Sequence, residues 1–158
     1  MSHSPERRDS PRCNAVENQS RLEFAVSEGR RRVDARLVNI SRGGALLIAE
    51  KRPELVAAVA AISPAVWTSY SQASAANPAA YANAADFDAD DVVTHAAALA
   101  GKPVRIASGI DDPFHPGVVA LGRVLPASAT VEFSGGCHTG DFFVAQEPPS
   151  LGFLAQHL

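Results

Sequence analysis

Ser41 is the first residue to weigh for chemistry. It sits in Asn39-Ile-Ser-Arg-Gly-Gly44, a hydroxyl among small residues at the end of an apolar run. Two backbones suit that string. One is the turn of a β-hairpin; the other is a sharp strand-to-helix turn that presents the serine as a nucleophile. Arg8 and Arg12 offer different chemistry, because a planar guanidinium forks onto phosphate oxygens and stacks on π faces. His138 follows Cys137, but adjacent residues rarely converge on one atom, and Cys137 reads as a small packing residue. Cys13 and Cys137 are far apart without metal spacing, so neither a disulfide framework nor a zinc site is expected. His95 and His115 have no partner at ligand spacing, and Asp86-Phe-Asp-Ala-Asp-Asp91 lacks calcium-loop spacing. The sequence predicts no metal and no cofactor.

Such side chains need elements to hold them. The 158 residues allow one domain, or two undersized ones. Through Pro53 there are 11 Lys+Arg against 7 Asp+Glu, hence +4; from Glu54 onward there are 3 against 10, hence −7. That reversal suggests two segments, 1–50 and 51–158, of different character. No basic start is followed by an apolar leader, and nothing approaches ~20 consecutive apolar residues, so a cytoplasmic protein without membrane or nucleic-acid partners is expected. Residues 1–12 are polar with two prolines and read as an arm. Arg21–Val26 and Val33–Ile40 alternate as strands around Ser27-Glu-Gly29, a hairpin pattern. Ala45–Ala49 reads either as a third strand or as the start of a helix.

From Pro53 the texture changes. An apolar run to Ile62 suggests a helix end entering a buried strand, and Ser63-Pro64 breaks it. Residues 64–85 look like an insertion with short helices, which Trp67 and Tyr70 pack. Asp90–Ala100 has a helix signature, with carboxylates at its start and Gly101 as a stop. Val104–Ala107 and Thr130–Phe133 read as strands and Val118–Leu125 as a helix. A last helix from Asp141 is expected to break at Pro148-Pro149. This is β-loop-α-β-loop-α, an α/β class with a partial parallel sheet and crossover helices, preceded by a short antiparallel β segment.

Two resemblances follow. Arg8-Asp-Ser-Pro-Arg12 and Asn39-Ile-Ser41-Arg-Gly-Gly44 match RxxxR and [DN]xSxxG, so that residues 5–50 resemble a PilZ domain. That resemblance implies cyclic di-GMP as ligand, held by Arg8, Arg12, Asn39, Ser41 and Gly44, although at most three of the family's strands are visible. Ser63-Pro-Ala-Val-Trp67, Ser108-Gly-Ile-Asp-Asp-Pro-Phe114 and Gly135-Gly-Cys-His-Thr-Gly-Asp-Phe-Phe143 make residues 53–158 resemble the C-terminal half of an α/β-hydrolase of the esterase or acyltransferase type. This second resemblance implies an acid at Asp112 (or its neighbour Asp111) and a general base at His138, with Ser41 as nucleophile and a small acyl ester as substrate.

In the elbow, Asn39 takes the place of the first glycine. The run from Ser41 to Pro53 is also shorter by about two residues, which turns a helix by about 200°. Those departures predict that the Ser41 hydroxyl misses His138. Three readings stand open: an esterase-like protein, incomplete and weakly active or inactive; a cyclic di-GMP-binding module; and a chimeric fragment without function. A sheet lacking its first strands predicts self-association, or cover borrowed from Arg21–Ile40.

Overall fold

The computed structural model describes residues 23–28, 31–36 and 44–157. Strands β1 (Glu23–Glu28) and β2 (Arg31–Arg36) pair antiparallel from Glu23↔Arg36 to Glu28↔Arg31. The expected hairpin is present, with pairing that extends into Ser27 and Glu28, which the sequence assigns to a turn.

Helix α1 (Gly44–Lys51) decides between the two readings of Ala45–Ala49 in favour of helix. A 3-10 turn (Pro53–Leu55) leads to β3 (Val59–Ile62). Two short helices follow, α2 (Tyr70–Ala76) and α3 (Ala84–Asp90). Then come β4 (Val104–Gly109), α4 (His115–Val124), β5 (Thr130–Ser134) and α5 (Gly140–Ala155). β3, β4 and β5 form a parallel sheet in that order, β4 in the centre. The α/β class with a parallel sheet and crossover helices is the observed fold.

β4 is buried along its whole length, as a central strand covered on both faces must be. Val104 and Ile106 point into a core with Leu46 and Ala49 of α1, Val118 and Leu121 of α4, and Ala96 and Leu99. Alternation sends Arg105 to the opposite face, where α5 lies. Helices thus cover both faces of the sheet. Leu46 and Ala49 belong to this core although α1 lies at the end of the first sequence segment.

Two expectations fail for tertiary or capping reasons. Asp90–Ala100 is not one helix. The Asn83 side chain accepts the Asp86 N–H at 3.0 Å and starts α3 upstream, so Asp86, Asp88 and Asp90 fall inside it. The Asp91 carboxylate then takes the Val93 N–H at 3.0 Å and the Thr94 hydroxyl, and the chain continues through turns into a 3-10 segment, Ala96–Leu99. Gly101 does serve as the stop, at φ 76°.

α5 also runs unbroken through Pro148 and Pro149. Each proline deprives a carbonyl four residues back of its donor. The buried Arg105 guanidinium braces the helix on either side of the proline pair, donating to Ser150 Oγ (2.7 Å) and Gln146 Oε1 (2.9 Å). It also donates to Glu132 Oε2 on β5 at 2.6 Å. Ser150 Oγ in turn donates to the Gln146 carbonyl at 2.7 Å.

Candidate active site

The ends of β4 and β5 are joined beyond their strands. Ile110 N–H donates to the Ser134 carbonyl at 2.9 Å and Asp111 N–H to the Gly136 carbonyl at 3.0 Å. Only glycines permit so close an approach. A Cβ on Gly109 would stand 2.1 Å from the Gly136 oxygen. Gly136 itself has φ 142°, and a Cβ there would meet the Phe142 ring at 2.6 Å. Past this seam the β4 loop turns back, with Asp112 N–H donating to the Gly109 carbonyl at 3.2 Å.

Asp112 and His138 meet across the seam. His138 Nδ1 and Asp112 Oδ2 are 3.1 Å apart. A carboxylate only accepts, so Nδ1 carries the hydrogen and donates, leaving the Nε2 lone pair free in the neutral ring. The second Asp112 oxygen accepts the Phe114 N–H at 2.8 Å. The Asp112 side chain is fully buried, whereas that of His138 is 19% exposed, so the carboxylate is shielded while the imidazole is reachable.

Burial works against ionisation of Asp112. The His138 ring, the Phe114 N–H and the Ser63 hydroxyl outweigh it and hold the carboxyl below its ordinary range.

Aromatic rings fix the imidazole. Phe114 and Phe143 stand edge-on to it, with centroids 5.0 and 5.1 Å away. Trp67 packs edge-on against Phe114 at 4.8 Å. The sequence assigns Trp67 to the packing of an insertion; it is also the outer layer of the wall behind the histidine.

Ser63 is the site residue that sequence reasoning missed. It follows β3, is buried, and has φ 45°, unusual for a residue with a side chain. Its Oγ makes no hydrogen bond of standard geometry. It nevertheless stands close enough to Asp112 to favour the ionised carboxyl. Three adjacent strands therefore deliver Ser63, Asp112 and His138 to one edge of the sheet. The signal in the sequence was Ser63-Pro64 at the end of an apolar run, read there only as a breaker.

Of the other candidates, Asp111 is exposed, which settles the carboxylate partner as Asp112. Gly44 is the first residue of α1. Arg8, Arg12, Asn39 and Ser41 lie outside the described residues. His115 packs its ring against Phe133. Cys137 is disulfide-bonded, against the expectations that no disulfide forms and that it is a small packing residue. Among the described residues no three His, Cys, Asp or Glu side chains gather as a metal site. None of the described helices is long and apolar enough to cross a membrane.

No family model and no curated protein matches the chain. Among solved structures, a ferulic acid esterase is similar over 72% of this chain, at 16% identity and a TM-score of 0.57. The chain spans 47% of that esterase's length. The likeness is one of fold, a parallel sheet with covering helices.

Proposed function

We propose that Asp112 and His138 are the acid and base of a serine-esterase-type site acting on small acyl esters. The observation that carries this reading is their 3.1 Å hydrogen bond at the ends of neighbouring parallel strands, with the carboxylate buried and the imidazole reachable. Asp112 holds the hydrogen on Nδ1, so Nε2 accepts the proton of an attacking hydroxyl. The resulting imidazolium, steadied by the carboxylate, returns that proton to the departing alkoxide. Water then repeats the cycle on the acyl intermediate.

The nucleophile assigned to this cycle is Ser41. Ser41 lies outside the described residues, so its assignment rests on the sequence resemblance, three residues ahead of the start of α1 at Gly44. Turnover on this reading is weak or absent, because the elbow carries Asn39 in place of glycine. The division of the chain near residue 50 belongs to the same proposal, with α1 serving the core of the second unit.

A short-chain nitrophenyl ester assay tests it. The expected result is slow turnover that His138→Ala abolishes and Asp112→Asn lowers by about 10³–10⁴-fold, through the wrong imidazole tautomer, while Ser41→Ala tests whether the elbow reaches the imidazole. Turnover that survives His138→Ala overturns the reading, and no turnover by the folded protein overturns Ser41 as its nucleophile. Loss in His138→Ala with Ser41→Ala unaffected would move the nucleophile to another group.

A further inference from the structure

Away from the Asp112–His138 pair, Glu50 presents a second chemistry. It lies near the end of α1, is 8% exposed, and neither carboxylate oxygen has a hydrogen-bond partner. A buried carboxylate without a partner is costly, and native proteins rarely keep one without a reason. Glu50 lines a cavity of about 150 Å³ together with Leu47, Lys51, Ala89, His95 and Ala98.

The walls specify what would fit. Leu47, Ala89 and Ala98 offer hydrocarbon, and Glu50 offers two acceptor oxygens. His95 Nδ1 lies 3.0 Å from the Asp91 carbonyl and must donate to it, so the neutral ring keeps its lone pair on Nε2. The charges nearby are Glu50 and Lys51 on α1, Asp90 on α3 and Asp91 just after it. Lys51 is ion-paired with Asp90 and acts on Glu50 from there, without cancelling the effects of burial and of Asp91. The pocket is acceptor-rich and negative at one end and apolar at the other. Among the described residues no three ligating side chains gather for a metal.

We propose that this cavity binds a small primary alkylammonium ion, its head on the Glu50 carboxylate and its hydrocarbon body against Leu47, Ala89 and Ala98. An ammonium carries three donors, enough to satisfy both orphan oxygens. The site is separate from the acyl-transfer reading and does not depend on it. Glu50 is held up at about 7 by burial first and then by Asp91, with Lys51 opposing. The cation therefore binds best where Glu50 is ionised, above that value.

The probes are n-butylammonium and, as its neutral counterpart, n-butanol, titrated into the full chain and followed by NMR of the Glu50 side-chain carboxyl. Butylammonium is expected to bind in the millimolar range or tighter at pH about 8.5, and about 30-fold more weakly at pH about 5.5. Saturation should lower the pH at which the Glu50 carboxyl signal titrates. Glu50→Gln should weaken butylammonium by at least about tenfold and remove the pH dependence, while leaving butanol unchanged. A thermal melt checks that this variant is folded. Butanol binding as tightly as butylammonium at high pH, an unaltered affinity in folded Glu50→Gln, or no response at about 50 mM amine would each overturn the proposal.

Discussion

The carbonyl oxygen of Gly136 occupies the space that a side chain on Gly109 would need, 2.1 Å from the position of a Cβ. The partnership of Asp112 and His138 rests on that contact. The two residues follow strands β4 and β5, and their separation is set by how closely the strand ends approach.

Gly109→Ala should therefore act at a distance from its own position. The added methyl must push the β5 loop away, an overpacking cost of about 1–3 kcal/mol. Urea denaturation measures the loss. The same variant should lengthen the Asp112–His138 hydrogen bond, seen as a weaker Nδ1–H signal by NMR. Stability equal to the parent chain would mean that the seam is looser than its geometry indicates.

Asp112 makes acid stability depend on its partners. Its carboxyl sits lower in the folded chain than its ordinary value of 3.8, because the hydrogen bonds from His138 and Phe114 and the nearby Ser63 hydroxyl outweigh burial. A depressed carboxyl stabilises the fold above 3.8, and that contribution is lost as the pH falls through the folded value. Thermal melts of the parent and of Asp112→Asn should thus differ most at neutral pH and converge in strong acid. A constant difference across that range would argue against the assignment. Ser63→Ala should narrow the gap by removing one supporting hydroxyl.

Glu50 acts in the opposite sense. Its folded value of about 7 lies above the ordinary 4.5, so the folded chain holds a proton that the unfolded chain has released. Stability then falls as the pH rises from 4.5 to about 7 and is level beyond. The penalty reaches at most about 3 kcal/mol, and Glu50→Gln should relieve it. Melts at pH about 5 and pH about 8 on both proteins decide. A variant no more stable than the parent at the higher pH would show that Glu50 is better solvated than its burial implies.

Arg105 holds α5 from the sheet side. Arg105→Met keeps much of the volume but removes the donors to Ser150, Gln146 and Glu132. Hydrogen bonds from a charged donor contribute about 1.5–3 kcal/mol, and a loss of about 3 kcal/mol is expected. Hydrogen exchange should report the change locally, with amides around Pro148 and Pro149 losing protection before those of β4. Uniform loss across the unit would mean that the guanidinium serves the whole fold equally.

The strands were legible because their signals are local. Val104–Ala107 and Thr130–Phe133 stand between turn residues, and both became parallel strands with slightly extended ends. Asp112 and His138 were legible through the loops around them, and their hydrogen bond followed from the sheet order. α5 was misread because Pro148-Pro149 is a local stop, overridden by an arginine some forty residues earlier in the chain. The Asp90–Ala100 expectation placed a cap at the acidic cluster, whereas Asn83 competes for the same helix from upstream. Ser63 was hidden because a left-handed serine has no signature in sequence. Its role appears only once β3 lies beside β4. Ser41 lies outside the described residues, so the elbow rests on sequence and on the start of α1.

The arginine on β4 also imposes an order on synthesis. Its guanidinium is 3% exposed, and its partners Glu132, Gln146 and Ser150 come 27, 41 and 45 residues later in the chain. While the polypeptide is being made, β4 emerges with a cation that cannot be buried before those acceptors exist. The sheet therefore cannot close strand by strand behind the ribosome; it has to wait until Ser150 has left the ribosome. Nascent chains in which Gln146 and Ser150 are still inside the ribosome should remain open to protease within β4, and the released chain should become resistant.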